Sequence, residues 1–269
     1  MTTLFAWVTP AFSSGSPVDH TWITDYDNRA HPYPDIAAVK AAGASNWYCW
    51  GSFHPTGGAP GHADGFLASA NGDMAIANCL VLTNADSRDV AAARGTIFTY
   101  GVDGVCHQLA NQVLYSTAGG GKPLTVKGAR GYSVSTFLYG TYGLQSAAWL
   151  AKLQSCAGVD RMTTRPMSAE AEMDHLPDDF EVHAAEVLSG QPEVLARLLA
   201  LRSEVNAFVA RETPGVFPPD AALLNARNQH LLDQAAVLLG PELFIAVFGL
   251  EPGEAIDVVD PTVLDRSGE

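Results

Sequence analysis

From Pro192 onward the apolar residues of this chain recur at helical spacing, and before Asp160 they do not; this change of period constrains the fold more than any other feature. In PEVLARLLALRSEVNAFVARE, Val194, Leu195, Leu198, Leu199, Val205, Phe208 and Val209 fall at helical spacing, and Pro192 suits the first turn. PDAALLNARNQHLLDQAAVLL follows the PGVFPP break, and PELFIAVFG reads as a short third helix stopped by Gly249. Two or three antiparallel helices are expected there, with the tail EAIDVVDPTVLDRSGE either packed back or loose.

Before Asp160, short β-rich runs alternate with Gly, Pro and Asn clusters: LFAWVT, HTWITDY, NWYCWGSF, AIANCLVLTN, GTIFTYG, LTVKG and GYSVSTFLYG. Three stretches read as helical, namely DIAAVKAAGA, residues 103–116 and residues 144–156. The fold class expected is α+β, with the strands of the first part forming its sheet. Charge divides at the same place. Residues 1–160 hold ten Asp, no Glu and eight Lys plus Arg, a formal charge of −2; the remainder holds 19 acidic and seven basic residues, a charge of −12. The organisation expected is an α+β domain over 1–160, an acidic linker over 161–190, and a helical C-terminal subdomain with tail over 191–269. The linker reads either as a solvated connection or as a loop over a site.

With 269 residues, 47% hydrophobic and 16% charged, the chain belongs among compact folded proteins. A net charge of −14 without any basic run argues against a nucleic-acid partner, which would need clustered Lys and Arg. Cys49, Cys79, Cys106 and Cys156 show no CxxC spacing, and MTTLFAWVTPAFSSG lacks the basic start and long apolar run of a signal peptide. A reducing, cytoplasmic setting with free thiols is the expectation, and the apolar stretches read as too short for a membrane span. No cofactor is expected: STAGGGKP lacks the GxxxxGK[ST] frame of a phosphate loop. Neither is a metal, because adjacent Cys106 and His107 and the looser Cys49 and His54 fall short of the doubled ligand pairs of structural zinc.

One stretch, TYGVDGVCHQLANQVLYS, carries the chemistry. Asp103 reads as an N-cap with Cys106 as the third helical residue, and Val105, Cys106, Leu109, Ala110, Val113 and Leu114 share a face. A helix N-terminus lowers a thiol's pKa and stabilises an oxyanion beside it, although a cysteine on an apolar face also serves as plain core. A nucleophile needs a base, and the predicted strands after Cys106 contain no histidine. Upstream, His20 opens HTWITDY, where His20, Trp22, Thr24 and Tyr26 share a face, and His54 closes NWYCWGSFH. His107 follows Cys106 directly, about a hundred degrees round the helix, which disfavours it as its neighbour's base.

In this order of elements the chain resembles circularly permuted papain-like thiol enzymes, the group of lecithin:retinol acyltransferase-like proteins and permuted NlpC-type amidases. There a histidine in a strand reading His-x-Trp precedes a helix with the cysteine in its first turn. The likeness covers about residues 18–140. It implies a papain-like antiparallel sheet with a cysteine-bearing helix, His20 as base and Cys106 as nucleophile. The group orienting the imidazole would be His54, with Asn46 as the alternative. Tyr100, six residues before Cys106, stands where such enzymes place a side-chain oxyanion donor.

The function expected is therefore a cysteine-dependent hydrolase or acyltransferase acting on an amide or ester of a small molecule or peptide. The alternative, from another class, is a non-catalytic binding or scaffold protein whose acidic C-terminal helices dock a basic partner or self-associate.

Overall fold

A computed structural model describes residues 2–10, 17–25, 27, 29, 47–48, 65–72, 100–115, 124–157, 178–212 and 220–261. Four strands, β1 (Thr2–Pro10), β2 (Asp19–Thr24), β3 (Trp47–Tyr48) and β4 (Gly65–Gly72), form one antiparallel sheet in the order β3-β2-β1-β4. The register sets Trp7 opposite Trp22 and Thr9 opposite His20. Because side chains alternate along a strand, Phe5, Trp7, Thr9, His20, Trp22 and Thr24 share one face. Trp7 and Trp22 are buried there, the Trp7 indole donates to Thr24 Oγ1 at 2.8 Å, and Phe66 of β4 meets the Trp7 ring edge-on. Leu4, Ala6 and Ile23 point the other way, into the main core shared with the helices.

Helix α1 (Cys106–Tyr115) lies inside that core, with every residue from Cys106 to Leu114 buried. Its apolar face is the one expected, but its polar face is buried too and needs partners. Gln108 Nε2 donates to the Gly140 carbonyl, Gln112 Nε2 to that of Tyr142, and Asn111 Nδ2 to Thr141 O at 2.8 Å and Tyr132 Oη at 2.9 Å. Asn111 Oδ1 also accepts from the Val126 N–H at 2.9 Å. Asn111→Ala would strand these groups without water, so a loss of about 2–3 kcal/mol is expected in urea unfolding. A change under 0.5 kcal/mol would mean that the chain re-pairs them.

Helix α2 (Tyr132–Tyr139) corrects the strand expected from GYSVSTFLYG. Its β-branched and aromatic residues favour a strand locally, but glycines bracket the segment and Val134, Phe137 and Leu138 bury together at helical spacing. Gly131 caps the start at φ 71, where a Cβ would meet Val18 at 2.7 Å, so only glycine fits both the backbone and the gap. Thr136 returns its hydroxyl to Tyr132 O. LTVKG is likewise not a strand; residues 124–128 run without regular structure into a turn. There Asp19 N–H donates to Arg130 O, and Arg130 returns its N–H and Nε to the Asp19 carboxylate.

Helices α3 (Ser146–Ala157), α4 (Asp179–Val187), α5 (Pro192–Glu212) and α6 (Ala221–Phe248) follow. The described part of the acidic 161–190 segment is thus largely helical, and Asp178 caps α4 by accepting from Phe180 N and Glu181 N. Pro192 starts α5. Gly240, with non-helical φ/ψ, and Pro241 split α6, and Gly249 ends it in the left-handed region. Phe137, Phe180, Phe244 and Phe248 form an aromatic knot joining α2, α4 and α6, with ring centroids 4.8 to 5.3 Å apart in the Phe137–Phe180, Phe137–Phe248 and Phe244–Phe248 pairs. By length and composition alone, α6 is long and apolar enough to cross a membrane, a test that the core helix of a soluble protein also passes. The described part of the tail, up to residue 261, packs back, burying Ile256, Val258 and Val259 in the core that begins at Leu4.

Candidate active site

Cys106 is the first residue of α1, not the third, because Leu109 N–H already bonds to Val105 O at 3.2 Å. Asp103 does not cap the helix as expected. Its carbonyl accepts from Leu144 N, and its carboxylate takes a 3.4 Å bond from Gln145. The start is held instead by Gln108, whose Oε1 reaches back to the Val105 N–H at 3.0 Å, half of a capping box.

The thiol points to the edge of β2, with Sγ 3.9 Å from the Asp19 carbonyl, to which it donates. The N–H of Thr21, the Thr21 hydroxyl and the N–H of His107 all favour charge on the sulfur. Thr21 Oγ1 is buried and has no hydrogen-bond partner of ordinary geometry. Burial outweighs these donors, and Asp260 opposes them as well, so the thiol is pushed up to about 11 and is protonated at neutral pH.

Two neutral imidazoles flank this edge. His107 is fully buried, with Nε2 3.0 Å from Asp19 O and Nδ1 2.7 Å from Ser135 Oγ. Burial lowers it to about 4, so it carries one proton at neutral pH. A carbonyl can only accept, which puts that proton on Nε2 and makes Ser135 the donor to Nδ1. His20 is lowered further, to about 3, by burial and then by the field of His107. The His20 ring stacks on Trp22, centroids 5.7 Å apart, on the face of Trp7. Thr21, which adjoins the sulfur, projects to the opposite face by strand alternation.

Tyr100 lies close enough to Cys106 for its pKa to be raised by the thiol as well as by burial. Its hydroxyl accepts from the Asp260 N–H at 3.2 Å. His54 and Asn46 lie outside the described residues.

The structure therefore gathers Cys106, Thr21, His107, Tyr100 and Asp260. Sequence reasoning passed over Thr21 and Asp260; the only signal for Asp260 was the apolar Ile256, Val258 and Val259 within an acidic tail. A cavity of about 480 Å³ opens elsewhere, where Lys127, Arg130 and Ser133 face His183 and Phe248. A scan against family models and searches of curated proteins and of solved structures each return no match.

Proposed function

We propose that this chain is a cysteine-dependent hydrolase or acyltransferase of the circularly permuted papain-like kind, acting on an amide or ester. The observation that carries this reading is a buried sulfur on the first residue of a helix, set against β2 where it donates to the Asp19 carbonyl at 3.9 Å. With a protonated thiol, an imidazole must take the Cys106 proton as the sulfur attacks the carbonyl carbon; His20 lies on the other face of β2 and the His107 lone pair accepts from Ser135, so in this reading one of the rings turns to the sulfur first. The Cys106 N–H and Tyr100 hydroxyl hold the oxyanion, the leaving group takes the proton, and the thioester passes to water or an amine.

The test is p-nitrophenyl acetate with mass spectrometry of the chain. A stoichiometric burst of nitrophenolate with an acetyl group on Cys106 is expected, lost in Cys106→Ala. His20→Ala and His107→Gln then separate the two bases, the true one slowing acylation by about 10²–10⁴-fold. An identical burst from Cys106→Ala, or no acetylation of Cys106 between about pH 6 and 9, would sink the reading. Burial of the thiol favours the second reading, a non-catalytic binding protein, and either of those outcomes would leave it standing.

A further inference from the structure

Residues 256–260 belong to no helix or strand, yet Ile256, Val258, Val259 and Asp260 are all buried. Side chains of α6 hold their backbone: Asn225 donates to Val259 O and accepts from Val259 N, at 2.8 and 2.9 Å, and Gln229 accepts from Ile256 N at 3.0 Å. At the far end the Asp260 N–H reaches the Tyr100 hydroxyl. Beside it Val259 fills the space over Gly101: at φ +77 this glycine could carry no Cβ, which would lie 2.7 Å from Val259 Cγ1. The segment thus lies on the turn that leads from Tyr100 to Cys106, and it ends with a carboxylate whose charge is felt at both.

We infer that residues 256–260 form a detachable strap that closes the Cys106 site and lifts away as a unit to admit substrate. Its value as regulation rests on the reading of Cys106 as a nucleophile; its action as a cover does not. The segment is held by the burial of Ile256, Val258 and Val259 as well as by these bonds, but it is short and joins no helix or strand, so its opening costs less than global unfolding. In the closed state the strap fixes the Tyr100 hydroxyl on the Asp260 amide and keeps water from the thiol. In the open state both are released, and the Asp260 charge, which disfavours the thiolate, leaves with the strap.

The test is iodoacetamide labelling of the full chain, resolved by site, across a urea series below the unfolding transition, with amide exchange of residues 256–260 measured in parallel. Cys106 labelling is expected to follow the exchange of the Val259 and Asp260 amides and to be nearly independent of urea. Asn225→Ala should raise both rates together by about tenfold, the equivalent of one to two hydrogen bonds. Gln229→Ala, which frees only the Ile256 end, should give a smaller rise in the same direction. Labelling with the urea dependence of global unfolding, or labelling that neither variant alters, overturns the strap. Labelling reports access and the acetyl burst reports chemistry, so failure of one proposal is distinguishable from failure of the other.

Discussion

Acidification from pH 7 to pH 5 is expected to destabilise this protein before ordinary carboxylates, which titrate near 4, begin to protonate. His20 and His107 have folded-state pKa values of about 3 and about 4, against 6.5 in the unfolded chain. Between these limits the unfolded state binds more protons, so stability is complete above 6.5 and falls as pH falls through the window. A displacement of this size corresponds to about 3 kcal/mol for each ring by pH 4, a large fraction of a typical 5–15 kcal/mol. The groups facing His107 explain why it does not simply charge. Ser135 donates to it and the Tyr132 ring lies 5.7 Å away, while the Asp19 carbonyl and charge oppose the shift without reversing it. Above pH 9 the sign reverses: Cys106, raised to about 11, contributes stability that is lost as pH climbs toward that value. Urea midpoints at pH 7.5, 6 and 5 check this, with His107→Gln flattening part of the slope. Midpoints that stay level from 7.5 to 5, or a slope unchanged in His107→Gln, would show that these rings are not buried as described.

Where structure is set by local chemistry it was legible. Pro192, the Gly240–Pro241 break and the Gly249 stop act within a turn or two, and each stands where the sequence placed it. Residues 131–140 were misread because their strand propensity is real and is overridden by contacts far away in the chain, with Phe180 and Phe248. β4 escaped notice because GFLASANG offers neither clean alternation nor β-branched residues. The direction of Cys106 could be read from its helix face. Its cap could not, because the rival capping groups, Asp103 and Gln108, both lie within reach and only the turn at residues 144–145 draws Asp103 away. His107, set aside as a neighbour of Cys106, is the more deeply integrated imidazole: its ring partners come from β2 and α2, 88 and 28 residues distant. No spacing rule reports partners at that range.

Replacing Arg202 by Met is expected to lower stability by about 3–5 kcal/mol, because it breaks a mostly buried ion pair and leaves its partners in place. The guanidinium, on α5, donates to the Asp178 carboxylate, to the Phe137 and Thr136 carbonyls near the end of α2, and to Glu181 of α4. It also lies 5.6 Å from the Phe180 ring centroid. Its side chain is 12% exposed and that of Asp178 23%, so water replaces little of what is lost. Asp178 would then hold an uncompensated charge while still accepting the two N–H groups that start α4. Glu181 is a different case: at 54% exposure its pairing is screened, and Glu181→Ala should change stability by less than about 1 kcal/mol. Arg202→Lys keeps the charge but lacks the planar fork that reaches four acceptors at once, so an intermediate loss is expected. Urea unfolding of the three variants checks the order. If Arg202→Met cost no more than Glu181→Ala, Arg202 would be a surface cation. The helices after residue 178 would then be held to α2 by the aromatic knot and by the bonds from Tyr132 to Asp179 and from Asn228 to Tyr139.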